Sequence, residues 1–296
     1  MPTSSTTQLT EIEPGVLATP YRNVINPNIG AGAGSIHDQE TATKLGFRGG
    51  TVAGSNHMDV FAPLAAEVFG KEWWETGSLS LYFRNATIDR EPVSARIKVP
   101  ARRHDVQADV WMNRDDGMLV CEGTMGVGNT GEPTALQRLD LATIDGSANR
   151  ILKHLHAGDP IDETGVIYSA KQQESRLEII TEPLDWYAGE SPWGAPVVTP
   201  AGYVGVLYAQ AIATLRKSIG SAVGLFGAIE IRNLNGPLLV DTPYRVSGKV
   251  LAVGQSPKTE FFWFETYADN PDGKRIADHR MLLRFMKASS PLWAES

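Results

Sequence analysis

The sequence predicts an α+β protein made of two similar halves, each with one long apolar helix followed by antiparallel strands. Residues 47–54 (FRGGTVAG) resemble residues 193–200 (WGAPVVTP), at an offset of 193 − 47 = 146. The pair Arg-Asn at residues 84–85 returns at residues 232–233, at an offset of 232 − 84 = 148. Similar segments that recur in the same order identify the repeating unit, which here is about half of the chain.

The first half is predicted to span residues 20–135, after a flexible N-terminal segment of residues 1–19. Apolar residues recur at helical spacing between positions 58 and 69, so residues 56–69 are predicted to form one buried helix that ends at Gly70. Alternating apolar and polar residues then predict strands at residues 78–85, 93–99, 105–112 and 118–127.

The second half is predicted to span residues 161–296, after a linker with helical stretches at residues 136–160. Thr199 and Pro200 have the residue types of a helix N-cap and a first helical position, and predict a helix over residues 201–217. Alternation predicts strands at residues 228–232, 244–253, 259–268 and 275–286. Because an isolated antiparallel sheet leaves unpaired edges, we expect the two sheets to join edge to edge around the central helices.

Composition limits the classes of partner and compartment. The net charge is −7 and the pI is about 5.4, whereas nucleic acid and anionic membranes require clustered Lys and Arg, so neither partner is expected. The single cysteine, Cys121, allows no intramolecular disulfide and favours a reducing compartment. The N-terminus does not resemble a secretory signal, and no window approaches the ~20 apolar residues of a membrane helix. A cytoplasmic protein is therefore expected, and a homo-oligomer is compatible with the sequence.

Residues 36–54 and the segment after the first helix carry a resemblance to a known family. The pattern comprises IHD at residues 36–38, Ala42, LGF at 45–47, GGTVAG at 49–54, FRN at 83–85 and Pro92. These residues resemble the MaoC-like dehydratase and (R)-specific enoyl-CoA hydratase family, and the tandem arrangement is similar to double-hotdog hydratases. The resemblance implies two hotdog units, and a lyase that adds or removes water at an α,β-unsaturated carbonyl or thioester, without a metal or a redox cofactor.

Hydration of a double bond conjugated to a carbonyl requires a base, an acid and donors for the enolate oxygen. The resemblance implies a His for the proton transfers, matched by His37, and a glycine amide at the start of the central helix for the oxygen, matched by Gly54. Asp38 is a further candidate for the proton transfers, and the amide of Ser55 is a further candidate for the oxygen. Asp38 also has the residue type of an N-cap for a short helix that begins at Gln39, which is the alternative to a catalytic role.

The catalytic Asp of the family pattern is not found. The residue five positions before His37 is Gly32, and the residue five positions before Asp38 is Ala33, and neither can accept a proton. His57 is a candidate replacement, because it falls on the first helical turn after Gly54 and imidazole titrates near neutral pH. The alternative for His57 is a hydrogen bond that only satisfies a neighbour.

The second half offers aromatic residues at the corresponding places. Tyr203 lies at the offset of His57, 203 − 57 = 146, and would face it across the interface as a partner in proton transfer. Trp186 and Trp193 precede the second helix and are predicted to form an aromatic wall for an apolar substrate, with core packing as the alternative. The first half is thus expected to hold the chemistry and the second half to shape the pocket.

Two questions about function stay open at the level of sequence. No cluster of basic residues is evident for the phosphates of coenzyme A, so the substrate is either a coenzyme A thioester or a free carbonyl compound. The missing Asp supports a second function, a non-catalytic hotdog that binds an apolar ligand or a partner subunit. A hotdog thioesterase is disfavoured, since the first helix has no acidic residue after Met58 other than Asp59 and Glu67.

Overall fold

The structure is a computed structural model that describes residues 7–30, 32, 34–182, 184–189 and 191–294. The first half contains β1 (Thr10–Glu13), β2 (Val16–Ala18), β3 (Arg22–Asn23), α1 (Gln39–Lys44), α2 (Gly54–Met58), α3 (Ala62–Phe69), α4 (Glu72–Thr76), β4 (Gly77–Phe83), β5 (Pro92–Lys98), β6 (Val106–Arg114) and β7 (Leu119–Val127). The second half contains β8 (Pro160–Ile167), α5 (Ala170–Leu177), α6 (Asp185–Ala188), α7 (Pro200–Leu215), β9 (Gly224–Asn233), β10 (Pro243–Gln255), β11 (Thr259–Asp269) and β12 (Arg275–Met286). Short 3-10 turns lie at Asp59–Phe61, Arg216–Ser218, Lys287–Ser289 and Pro291–Trp293.

The strands of the described residues form one antiparallel sheet that crosses both halves. Its order is β1-β2-β5-β6-β7-β4-β9-β12-β11-β10-β8, and β3 pairs with β5. At the centre, β4 of the first half pairs with β9 of the second half, with Leu79 opposite Ile231. The prediction that the two sheets join edge to edge is therefore confirmed.

The two long apolar segments fold differently. The helix predicted at residues 56–69 is interrupted, because α2 ends at Met58 and a 3-10 turn intervenes before α3 begins at Ala62. Pro63 explains the interruption, since its nitrogen carries no hydrogen to donate to the carbonyl of Asp59, four residues earlier. α7 is continuous, because its proline stands at the first helical position, where the amide hydrogen has no helical acceptor.

The segment at residues 136–160 is packed on the sheet, and the helical stretches predicted there are absent. Leu136, Ile151 and Leu152 are almost fully buried. The carboxylate of Glu260 in β11 accepts hydrogen bonds from the amides of Ile151, at 3.1 Å, and Leu152, at 2.8 Å. A buried side chain thus satisfies amides that a helix would otherwise have satisfied. In the described part of the chain, no helix has both the length and the apolar character needed to span a bilayer.

Candidate active site

A cavity of about 940 Å³ is lined by residues of both halves. The first half contributes the segment before α1, the start of α2 and the segment after β4, and the second half contributes α7 and residues 219–226. Four residues that the sequence nominated lie on its wall: His37, Gly54, Ser55 and His57. The structure thus brings together side chains and amides that are separated by up to twenty positions in the sequence.

The ring of His37 is oriented by the backbone. Its Nδ1 lies 2.6 Å from the carbonyl oxygen of Thr51. Because a carbonyl oxygen only accepts hydrogen bonds, Nδ1 carries a hydrogen and the lone pair of the neutral ring is on Nε2. Nε2 makes no hydrogen bond to any residue that the structure describes, so it can act as a base towards the cavity.

The first amides of α2 have no acceptor. The N-cap residue, Ala53, has no side-chain oxygen, and the amides of Gly54 and Ser55 donate to no other residue in the described part of the chain. The first amides of a helix need partners outside it, from side chains, water or ligands. Both amides belong to residues on the cavity wall, so an oxygen bound in the cavity is a suitable acceptor.

The equivalent position in the second half is already filled by the protein. Ala201 is the counterpart of Ser55, since 201 − 55 = 146. Its amide donates at 2.9 Å to Oδ1 of Asp59, which comes from the first half. The side chain of Thr199 caps the same helix by accepting from the amide of Gly202. The second half therefore binds a carboxylate oxygen at the position where the first half is open.

His57 lies on the cavity wall, but its ring is buried and engaged. Nε2 lies 2.8 Å from Oγ1 of Thr87, and Nδ1 has no partner with normal hydrogen-bond geometry. Burial lowers the pKa of His57 to about 4, although the nearby Ala53 carbonyl opposes this shift. The expectation that His57 titrates near neutral pH is therefore wrong, and its ring stays neutral there.

Asp38 is the N-cap of α1 and is not on the cavity wall. Its carboxylate accepts a hydrogen bond from the amide of Thr41 at 2.8 Å. That hydrogen bond lowers the pKa of Asp38, because it stabilises the charged form. Of the two positions where the family pattern would place an Asp, Gly32 is exposed and Ala33 lies outside the described residues.

The aromatic residues predicted to contact substrate belong to the core instead. Trp186 stacks edge-on against Trp74 of the first half and against Trp193, with ring centroids 5.3 Å and 5.2 Å apart. Tyr203 is buried, and its hydroxyl donates to Oδ1 of Asn233 at 2.8 Å. None of these nominated residues lines the cavity, so the predicted aromatic wall and the pairing of Tyr203 with His57 are both wrong.

Gly54 has a packing constraint that the sequence did not reveal. A Cβ atom at this position would lie 2.7 Å from Cζ of Phe83. The ring of Phe83 therefore occupies the space that any other residue at position 54 would need.

The cavity wall carries positive charge and no carboxylate among the described residues. Arg84 follows β4 and pairs with Glu122, with Nε and Oε1 2.8 Å apart. Arg216 follows α7 and makes no ion pair with any described residue. Sequence reasoning missed both arginines, although Arg84 belongs to the repeated Arg-Asn pair and Arg216 continues the spacing of the residues on α7 that line the cavity.

Comparisons with known proteins identify the fold. Neither the known family models nor the curated proteins include a match to this chain. A MaoC domain protein from Chloroflexus aurantiacus, described as a dehydratase, is 11% identical with a TM-score of 0.63, over 90% of this chain and 93% of its own. A Mycobacterium tuberculosis protein with a double hotdog fold is 14% identical with a TM-score of 0.54, over 94% of this chain and 96% of its own. This chain has the double hotdog fold.

A third similar structure contains a bound ligand. The dehydratase domain of PpsC from Mycobacterium tuberculosis, in complex with C12:1-CoA, is 11% identical with a TM-score of 0.50, over 96% of this chain and 99% of its own. At these identities the likeness establishes the double hotdog fold, and the reaction has to be inferred from the site.

Proposed function

We propose that this double hotdog protein is a hydro-lyase that adds water to, or removes it from, an α,β-unsaturated carbonyl compound. The observation that carries the proposal is the orientation of His37, whose Nδ1 is held by the Thr51 carbonyl and whose Nε2 is free. The unpartnered amides of Gly54 and Ser55 on the same cavity wall supply donors for an enolate oxygen.

One base is sufficient for the proton transfers. Nε2 of His37 accepts a proton from water while the water oxygen attacks the β-carbon, and the electron pair of the double bond moves to the carbonyl oxygen. The resulting enolate oxygen accepts hydrogen bonds from the Gly54 and Ser55 amides. The imidazolium of His37 then returns the proton to the α-carbon, so the net change is the addition of one water.

The second half supports the role assigned to the amides. The carboxylate oxygen of Asp59 lies 2.9 Å from the Ala201 amide, the counterpart of Ser55. An amide in this position of the fold therefore donates a hydrogen bond to a carboxylate oxygen, and the same donation would stabilise an enolate. In this proposal the first half supplies the reacting groups and the second half supplies walls.

A thioester is the proposed form of the substrate. The PpsC dehydratase domain, which shares the fold, binds an acyl-coenzyme A. A thioester carbonyl also polarises the adjacent double bond, which helps water to attack at the β-carbon. The thioesterase alternative would need an acidic side chain in this cavity. Asp59 is instead bound to Arg176 and to the amide of Ala201, and Glu67 is exposed on α3 and does not line the cavity.

The test is hydration of a panel of α,β-unsaturated thioesters, free acids and ketones. We expect loss of the conjugated absorbance for at least one thioester, with oxygen from heavy-oxygen water found at the β-carbon by mass spectrometry. Ligand binding without turnover across the panel would instead support a non-catalytic hotdog, and release of free thiol would support a thioesterase.

His37→Ala identifies the base. Turnover should fall by about 10²–10⁴-fold, the usual effect of losing a general base, while the melting temperature stays close to that of the wild type. His154→Ala is the matched control, because His154 is exposed and does not line the cavity. Equal activity of the two variants would remove His37 from the mechanism.

A further inference from the structure

One face of α7 lines the cavity along the whole helix. The lining positions recur at helical spacing and are Ala201, Val204, Gly205, Tyr208 and Ile212, followed by Arg216 in the next turn. With a rise of about 1.5 Å per residue, the fifteen steps from Ala201 to Arg216 cover roughly 22 Å. The cavity is therefore elongated along α7.

The two ends of this channel differ in chemistry. Ala201 donates its amide to Asp59, the residue that follows α2, so this end lies beside the helix that carries Gly54 and His57. Arg216 lies at the opposite end. Between them the remaining wall is largely apolar and includes Ile219, Ala222, Leu225, Phe226, Leu283 and Phe285.

Gly205 leaves space in the middle of the channel. A Cβ atom at this position would meet no atom within 4 Å, whereas a Cβ at Gly202, one turn earlier, would lie 2.5 Å from Val198. Packing therefore requires a glycine at position 202 but not at position 205. Glycine inside a helix lowers helix stability, so the absence of a side chain at position 205 is explained by the width of the channel.

Arg216 gives the channel a positive end. Its side chain is exposed and forms no hydrogen bond or ion pair with the residues that the structure describes. None of the described residues on the cavity wall is an Asp or a Glu, although the chain as a whole has a net charge of −7. An anion at this end would thus meet an unpaired guanidinium and no opposing carboxylate.

We propose that the channel binds a substrate with a long apolar acyl chain that carries an anionic group at its far end, held by Arg216. Gly205 sets the width of the channel for the chain. The proposal rests on the proposed function in one respect, since it places the reacting carbonyl at the end near Gly54. Its test uses binding alone, so it does not depend on turnover.

The probes are dodecanoate and dodecan-1-ol, which share a chain and differ in charge, and binding is measured by calorimetry. Arg216→Gln should weaken dodecanoate binding about tenfold, the lower range for a hydrogen bond to a charged group, and should change dodecan-1-ol binding less than twofold. Lys217→Gln is the matched control, because the neighbouring Lys217 is exposed and does not line the cavity. It should leave the binding of both probes unchanged.

Gly205→Leu tests the width of the channel. It should weaken the binding of both probes more than tenfold. The melting temperature should stay equal or rise, because leucine favours a helix more than glycine does. The proposal is overturned if Arg216→Gln affects both probes equally or neither, or if Gly205→Leu leaves binding unchanged.

Coenzyme A alone distinguishes the source of the anion. If it binds in an Arg216-dependent manner while dodecanoate does not, the anion belongs to a carrier and the proposal also fails. Arg216-dependent dodecanoate binding without any hydration activity would preserve the channel and reject the proposed reaction.

Discussion

His37 and His57 lie on the same cavity wall, but their rings have different surroundings. The ring of His37 is half-buried and has a free Nε2, whereas that of His57 is fully enclosed, with a pKa lowered to about 4. An unfolded chain binds a proton at its histidines near pH 6.5, and the native state resists protonation of His57 until about pH 4. Protons therefore favour the unfolded state between these values, and stability falls as the pH falls.

This linkage predicts the effect of His57→Gln, which keeps a group for Thr87 but does not titrate. Between pH 6.5 and 4 the wild type should lose roughly 3 kcal/mol of unfolding free energy through this residue. Urea unfolding at several pH values across this range should show that the variant loses less unfolding free energy than the wild type. Burial also lowers the pKa of His279 to about 3, so His279 makes unfolding free energy depend on pH in both proteins. Parallel curves for the two proteins would contradict the assignment.

Gly54 allows the packing role and the catalytic role of one residue to be separated. Gly54→Ala should destabilise the protein and reduce turnover, because the new methyl group overlaps the ring of Phe83. Adding Phe83→Leu should restore the melting temperature. If turnover also returns, the glycine provides space for the ring and the amide still holds the oxygen. If only stability returns, the substitution has displaced the amide.

Single residues show how far the sequence could define the site. The segment from His37 to His57 could be nominated because it is contiguous and carries a specific pattern. Trp186 and Tyr203 were misassigned because their positions relative to the repeat do not show which way their side chains point. The partner of Tyr203, Asn233, lies on β9, and only the folded chain shows that its amide is within reach of the hydroxyl.

At the scale of elements, a buried ion pair fixes α7 against α2. Arg176 of α5 donates from Nε to Oδ2 of Asp59 at 2.9 Å and from Nη1 to Asn56 at 2.8 Å, and Asp59 accepts the amide of Ala201. The side chain of Asp59 is almost fully buried. This cluster positions both the start of α7 and the end of α2, and thus two of the elements that line the cavity.

Removing one partner of the ion pair between Arg176 and Asp59 should lower the unfolding free energy. Arg176→Ala leaves the Asp59 carboxylate buried without its cation, and we expect a loss of about 3–5 kcal/mol in unfolding free energy. Combining it with Asp59→Asn should recover part of that loss, because the neutral amide still offers an oxygen to Ala201. Urea unfolding of the wild type, the single variants and the double variant measures the coupling. Additive effects would show that the two side chains act independently.

The elements themselves were predicted unequally. The strands from β10 to β12 have regular alternation, and their predicted positions agree closely with the structure, whereas β9 begins four residues before the predicted strand. The strands β1, β2, β3 and β8 and the helices α4, α5 and α6 were not predicted, because segments of two to eight residues carry too few periods to distinguish a strand or helix from a loop. The interruption by Pro63 was readable from the sequence, but the apolar periodicity on both sides of it concealed the break.

At the scale of the whole molecule, the duplication predicted the joined sheet but not the cavity. The two halves have similar elements, and pairing their edges follows from the need to satisfy strand hydrogen bonds. The cavity depends on the places where the halves differ: Ala53 leaves the amides of α2 without a cap, whereas Thr199 and Asp59 satisfy α7. The sequence alone does not show which helix start has free amides, because the acceptor for Ala201, Asp59, comes from the other half of the chain.

The seam between the halves contains a buried carboxyl group. Glu230 on β9 lies opposite Ser80 on β4, and its carboxyl accepts from the Ser80 hydroxyl at 2.7 Å and from that of Thr134. Burial raises the pKa of Glu230, because the charged form loses its hydration there. The unfolded chain releases this proton near pH 4.5 and the native state releases it at a higher pH, so stability falls as the pH rises through that interval.

Glu230→Gln should remove this fall. The variant keeps an oxygen for the two hydroxyls of Ser80 and Thr134 but has no charge to bury, so its unfolding free energy at pH 8 should equal or exceed that of the wild type. Near pH 3.5, where Glu230 is largely protonated in both states, the two proteins should have similar stability. Glu67→Gln is the matched control, since Glu67 is exposed on α3 and should leave the pH dependence unchanged. If Glu230→Gln separates the halves or lowers stability equally at both pH values, the seam depends on the hydrogen-bond geometry of the carboxyl rather than on its protonation.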